Sequence, residues 1–139
     1  MRNLICLLLL TFAATVQAQD LKDPRFKYAN AMKQHQTTGK PLVVVLGADW
    51  CGPCQAYKAT TISKMADEIV NGKADYVLAV VNIDDDRNFA DKIFGGDKFA
   101  LPYTAIYYSA RTKLRKKHFY EYHSLEFVRL VLKDVKSQR

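Results

Sequence analysis

Residues 42–54 read LVVVLGADWCGPC and join an apolar run to a Cys-x-x-Cys pair. The run 42–46 is short, β-branched and apolar on both faces, which is typical of a buried parallel strand. Pro53 suits the first position of a helix that follows the run. The stretch therefore predicts a strand, a turn and a helix, with both cysteines close to the helix N-terminus.

The spacing of Cys51 and Cys54 predicts a redox couple. A helix N-terminus carries partial positive charge and free N–H groups, which favour a thiolate, and the thiolate is the attacking species. Cys51 is the predicted nucleophile. Cys54 lies almost one turn later on the same face, so we expect it to attack the mixed disulfide and release the product. Gly52 permits the tight turn, and Pro53 needs no hydrogen-bond partner there.

A metal site and a purely structural disulfide are the two alternatives for this cysteine pair. Zinc needs about four ligands, and the three histidines, His35, His118 and His123, lie far from the pair in sequence. A disulfide across two residues closes a tiny loop and would stabilise the fold little. We therefore expect no metal and no organic cofactor.

The N-terminal segment 1–18 has the layout of a secretory signal peptide. Arg2 precedes the apolar run 4–14, and Val16-Gln17-Ala18 has small or compact residues at the two positions that a signal peptidase reads. The run is too short for a membrane span of roughly 20 residues, although an uncleaved anchor is the alternative. We expect one domain over residues 19–139, located in the periplasm or secreted.

The order of elements along the chain is predicted to be α-β-α-β-α-β-β-α. The predicted helices are 24–36, 53–70, 84–94 and one capped by Ser124, and the predicted strands are 42–46, 76–81, 103–108 and 114–122. Alternating strands and helices predict an α/β fold with a central mixed sheet that helices cover on both faces. Asp84-Asp85-Asp86 is interpreted as the acidic start of a helix, because a calcium loop would need spaced oxygen ligands and a glycine.

The stretch Trp50-Cys51-Gly52-Pro53-Cys54 resembles the active site of the thioredoxin family. Leu101-Pro102, just before the third strand, resembles the place where that family has a cis-proline facing the cysteines. Residues 81–84 (VNID) are similar to the end of the family's preceding strand. The resemblance in element order covers residues 24–135, and it implies the thioredoxin-like fold.

The resemblance also implies a substrate groove beside the cysteines. In the family, the backbone next to the cis-proline pairs with an extended substrate segment like an added strand. The substrate-binding residues implied are Trp50, Gly52, Pro53, Leu101 and Pro102. Without the resemblance, Pro102 is a proline at a strand entry, and Trp50 is a core or surface aromatic residue.

The chain departs from the family pattern in residues that bear on mechanism. Val45 stands where classical thioredoxins have a buried Asp, and Val80 stands where they have a Lys. The family's helix proline is absent near Ala59, and a glycine is missing from residues 119–123. The resemblance implies that the buried Asp takes the proton of the second cysteine as that cysteine attacks. We expect Asp49 to be exposed and not to take over this role. Resolution of mixed disulfides is therefore predicted to be slower than in thioredoxin.

A basic run, RTKLRKKH, occupies residues 111–118. It could form a patch for an acidic partner or an anionic membrane surface, but a charged edge strand that resists aggregation is the preferred interpretation. No nucleic-acid module is recognised, and we expect a monomer.

These features predict an exported thiol–disulfide oxidoreductase. It would act on protein thiols and disulfides, in the reducing direction that Gly-Pro between the cysteines suggests by resemblance, with a membrane partner as electron donor. The alternative is a binding or chaperone-like module of the same fold, in which the disulfide is passive.

Overall fold

The computed structural model describes residues 20–138, so the predicted signal peptide at residues 1–18 lies outside the described residues. A four-stranded mixed sheet has the order β2-β1-β3-β4. Its strands are β1 (Leu42–Gly47), β2 (Val77–Asn82), β3 (Tyr103–Ala110) and β4 (Lys113–Tyr120). Strands β1 and β2 are parallel, whereas β3 is antiparallel to both β1 and β4. This arrangement confirms the predicted mixed sheet.

Helices cover both faces of the sheet. They are α1 (Tyr28–Thr38), α2 (Gly52–Tyr57), α3 (Ser63–Val70), α4 (Arg87–Phe94) and α5 (Leu125–Ser137). Because side chains alternate along a strand, β1 contributes to two separate cores. Val43 and Val45 pack with residues of α2, α3 and α5, whereas Val44 and Leu46 pack with residues of α1 and α4. Within residues 20–138, none of the helices is both long and apolar enough to cross a membrane.

The first predicted helix is divided in the structure. Pro24–Phe26 forms one 3-10 turn, and α1 begins only at Tyr28. The Asp23 carboxylate accepts a hydrogen bond from the Arg25 N–H, so it caps this turn and not the α-helix. The extended backbone of Lys27 (ψ 137°) then separates the two elements. The prediction of one continuous helix over 24–36 was therefore wrong at its start.

The long helix that follows the cysteines contains a π-helical turn, Lys58–Ile62, between α2 and α3. Ala59, near the position of the missing family proline, lies in this turn. The Thr60 hydroxyl donates to the carbonyl of Ala56, and the Thr61 hydroxyl donates to the carbonyl of His123. Such side-chain bonds compete with regular helical bonding, and π-turns are common at functional sites.

The third helix and the hairpin also differ from the predicted boundaries. Helix α4 begins at Arg87 because the Asp86 carboxylate accepts a hydrogen bond from the Phe89 N–H and acts as the N-cap of the helix.

Arg111 and Thr112, both with positive φ, form the tight turn between β3 and β4. Strand β4 ends at Tyr120, two residues earlier than predicted, because Glu121 has a left-handed backbone (φ 70°).

Candidate functional site

The two cysteines lie where β1 passes into α2. Cys51 is the N-cap residue, with extended backbone angles (φ −90°, ψ 106°), and its sulfur accepts a hydrogen bond from the Cys54 N–H at 3.3 Å. The two residues form a disulfide, with their Cα atoms 5.2 Å apart. Cys51 is 7% exposed and Cys54 is 1% exposed. An external thiol or disulfide therefore reaches Cys51 first, which fits the predicted division of roles.

Gly52 and Pro53 separate the cysteines and are both exposed. The helix begins at Gly52, so Pro53 occupies the second helical position and not the first, as the sequence had suggested. The physical argument is unchanged, because the first four N–H groups of a helix lack intrahelical partners and a proline among them loses nothing. The exposed pair therefore lies on the surface beside Cys51.

The peptide bond between Leu101 and Pro102 is cis, as the family resemblance implied. Because Tyr103 pairs with Leu46, Pro102 lies beside the end of β1 that leads to Cys51. Leu101 is half-buried and packs against the core that contains both cysteines. The structure thus brings Leu101 to the same core as the disulfide, although Cys51 and Leu101 are 50 residues apart in the sequence.

Trp50 projects into solvent with 66% of its surface exposed. Its indole N–H donates a 2.8 Å hydrogen bond to the carboxylate of Asp84, which follows β2. This contact orients the ring beside Cys51. Asp84 was predicted to belong to a helix start, and its role at Trp50 was not predicted, although the parallel pairing of β1 with β2 brings the two strand ends together.

An apolar pair of strand residues stands where the family resemblance implied a charged pair. Val45 and Val80 are register partners on β1 and β2, and both pack into the core beside α2 and α3. Asp49 is exposed, as expected.

Lys58, in the π-turn, approaches Cys54. A Cβ atom built on Gly47 would lie 3.5 Å from the Cys54 sulfur and 3.6 Å from Lys58 Cε. Sequence reasoning missed Lys58, although its spacing of four from Cys54 places both on one helix face.

Part of the basic run is committed to contacts within the fold. Lys116 Nζ donates to the Asp97 carboxylate at 2.6 Å and to the carbonyls of Ile93 and Phe94. Tyr103 also donates to Asp97, and His118 lies 3.4 Å from it. These contacts, with the Lys116 hydrogen bond the largest, lower the pKa of Asp97. This arrangement agrees with the interpretation of a charged edge strand.

The histidines lie apart from the cysteines and have partners of their own. His35 Nδ1 contacts the carbonyl of Lys40, and His123 Nε2 contacts the carbonyl of Tyr120. Within the described part of the chain, no cluster of three or more His, Cys, Asp or Glu residues could hold a metal ion.

A family model described as thioredoxin-like matches residues 23–107, more than half of the chain. No curated protein matches the sequence significantly. Chloroplastic thioredoxin z is similar in structure, with 14% identity and a TM-score of 0.62 over 80% of this chain and 91% of that one. A thioredoxin from Thermus thermophilus has 16% identity and a TM-score of 0.61, covering 79% of this chain and 84% of that chain.

Thioredoxin NaTrxh from Nicotiana alata has 22% identity and a TM-score of 0.54, over 73% of this chain and 78% of that chain. At these identities the structural neighbours establish the fold alone. The match to the family model, together with the close cysteine pair, supports thiol–disulfide oxidoreductase activity. The chain belongs to the thioredoxin-like family.

Proposed function

We propose that the chain exchanges disulfides with protein thiols through Cys51 and Cys54. The observation that carries this proposal is the disulfide at the start of α2, in which Cys51 is the more exposed partner and its sulfur faces the Cys54 N–H. A backbone N–H and a helix N-terminus both stabilise negative charge on sulfur. These are the conditions under which a cysteine attacks a substrate disulfide.

The proposed reduction proceeds in two steps. The Cys51 thiolate attacks one sulfur of the substrate disulfide, forms a mixed disulfide and releases the other substrate sulfur as a thiolate. The Cys54 thiolate then attacks the Cys51 sulfur, closes the Cys51–Cys54 disulfide and releases the second substrate thiolate. The substrate gains two electrons, and the protein loses them. The reverse sequence introduces a disulfide into a substrate.

The substrate is proposed to bind in an extended conformation next to the disulfide. Half-buried Leu101, beside buried cis-Pro102, would contact the substrate on one side, and exposed Trp50, held by Asp84, on another. Gly52 and Pro53 are exposed between the cysteines and leave room for a backbone to approach Cys51. A short substrate segment beside Pro102 would resemble an added strand.

We further propose that the protein is exported to the periplasm or secreted and acts as a monomeric reductant. The signal-like segment 1–18 supports export, and Gly-Pro between the cysteines supports the reducing direction by resemblance. A reductant in an oxidising compartment needs an electron supply, for which we propose a membrane donor.

Selective alkylation tests the chemistry, and the reduction potential tests its direction. The reduced protein should be alkylated rapidly at Cys51 near neutral pH, whereas Cys54 should react slowly because it is 1% exposed. Slow labelling of both sulfurs would instead indicate the module with a passive disulfide. Equilibration with glutathione should give a potential of about −270 mV, and a value of about −120 mV would mean an oxidant. Cys51→Ser is the control for labelling.

A further inference from the structure

Cys54 must lose a proton before it can resolve a mixed disulfide, and its surroundings oppose this. The residue is 1% exposed and packs among apolar side chains of the core. Apolar burial disfavours a thiolate. Val45 and Val80 occupy the positions where the family resemblance implies an Asp and a Lys, and they supply neither a base nor a charge. Another group must therefore stabilise the Cys54 thiolate if the second step is to be fast.

Lys58 is a cationic side chain that approaches Cys54. It lies one helical turn after Cys54, on the same face. Gly47 has no side chain, and the space above it is bordered by the Cys54 sulfur and by Lys58 Cε: a Cβ there would meet them at 3.5 Å and 3.6 Å. The half-buried stem of Lys58 thus crosses the backbone of Gly47 next to Cys54. A larger residue at position 47 would occupy this path.

A cavity of about 500 Å³ adjoins Lys58. Val80 and Asn82 of β2 and Gln55 of α2 form part of its wall. The charged residues that line it are Asp20, Lys22, Lys27, Asp49, Lys58 and Asp85. A polar cavity of this size has room for water with several partners. Lys58 thus lies between this cavity and the neighbourhood of Cys54.

We propose that Lys58 is a positioning residue for the second step of disulfide exchange, a role that rests on the proposed function of the Cys51–Cys54 couple. The Cys54 thiol gives its proton to water, and the Lys58 ammonium stabilises the resulting thiolate. The Cys54 sulfur then bonds to the Cys51 sulfur, the bond from Cys51 to the substrate sulfur breaks, and the substrate leaves as a thiolate. The ammonium gains and loses no proton in this step.

A chromogenic aryl disulfide separates the two steps in a stopped-flow experiment. Attack by Cys51 releases one coloured aryl thiolate, and attack by Cys54 on the mixed disulfide releases another. In Lys58→Met, we expect the second phase to slow about tenfold at neutral pH, and its pH–rate midpoint to rise by about one unit, because a nearby positive charge is lost. The first phase should change much less. Lys58→Arg should keep the second phase within about threefold of the native rate, because the charge remains.

Lys64→Met is the matched control, since Lys64 is an exposed lysine of α3 and its loss changes the net charge equally. The proposal is overturned if the second phase and its pH midpoint are the same in Lys58→Met and Lys64→Met, or if both phases slow equally in Lys58→Met. Cys54→Ser identifies the first phase by releasing only one aryl thiolate. A native protein that releases no aryl thiolate from Cys51 would overturn the proposed function itself, and this outcome is distinct from a normal first phase with an unaltered second phase.

Discussion

Val45 and Val80 lie opposite each other in register on the parallel strands β1 and β2, directly below the helix that carries the cysteines. Because both positions hold valine, neither strand places a charge in this core. A single charge introduced at either one would be left without a partner in a mostly buried place. The apolar pair therefore contributes to the core and leaves deprotonation of Cys54 to other groups.

An acid introduced at position 45 should accelerate resolution and destabilise the fold. Val45 is 1% exposed, so Val45→Asp should lower the free energy of unfolding by about 3–5 kcal/mol, the cost of an uncompensated buried charge. The family resemblance implies that a carboxylate at this position accepts the Cys54 proton. Urea unfolding and the second phase of aryl disulfide reduction measure the two effects.

The double variant Val45→Asp, Val80→Lys is the companion to that experiment, and it should regain part of the lost stability because the register places the two side chains together. An unchanged rate of resolution in a folded Val45→Asp protein would refute the idea that the missing acid slows this step.

Gly47→Ala should destabilise the oxidised protein by about 1–3 kcal/mol, as overpacking in a core does. The added Cβ would lie 3.3 Å from Cys54 Cβ, and Cys54 is held by its bond to Cys51 and cannot retreat freely. Gly52→Ala is the control, because no atom lies within 4 Å of a Cβ at that position. Equal midpoints of denaturant unfolding for the two variants would contradict this account of Gly47.

Glu121→Gly should stabilise the protein by about 0.5–1 kcal/mol. Glu121 has φ 70°, a left-handed conformation that costs an ordinary residue about 1–2 kcal/mol, part of which the greater freedom of an unfolded glycine offsets. Its N–H donates to the carbonyl of cis-Pro102 at 2.9 Å, and this bond is kept in the variant. The change introduces a glycine near the position where the family pattern has one.

Thermal or urea unfolding measures this gain. Glu126→Gly, in the first turn of α5, should have the opposite sign and lose about 1 kcal/mol, because glycine is unfavourable in a helix. A loss of stability in Glu121→Gly similar to that in Glu126→Gly would show that the backbone strain at residue 121 is negligible.

Asp97→Asn should reduce stability at neutral pH by about 1–3 kcal/mol, because Lys116 and Tyr103 lose a charged acceptor. The folded pKa of Asp97 is lowered below its ordinary value of 3.8, chiefly by the hydrogen bond from Lys116. The carboxylate therefore contributes stability above that value, and the contribution is lost as the pH falls through the folded pKa.

The difference between native and Asp97→Asn proteins should accordingly shrink below about pH 4, where the unfolded carboxyl is protonated. Urea unfolding at a series of pH values measures it. Asp91→Asn is the control, because the ion pair of Asp91 with Arg87 is largely exposed and should matter by less than about 1 kcal/mol. A difference for Asp97→Asn that does not vary with pH would rule out the carboxylate charge as its source.

Much of the architecture was predictable because it depends on short-range patterns. The apolar run 42–46 and the cysteine spacing after it define β1 and the start of α2, and both follow from periodicity and helix-terminus chemistry. The order of strands and helices and the mixed sheet were predicted correctly. Element boundaries were predicted less well at Lys27, Asp86 and Glu121, where single residues with capping or left-handed geometry end or delay an element.

The α/β architecture and the close cysteine pair were predictable from the sequence, and the approach of Leu101-Pro102 to that pair followed from the family resemblance. Tertiary structure decided which distant groups meet that pair: the carboxylate of Asp84 at Trp50, and Lys58 across Gly47 beside Cys54. The reason is physical. Local spacing specifies backbone conformation, whereas these contacts depend on strand register, on a π-turn within a helix and on a space left by one missing side chain, which exist only after the chain has packed.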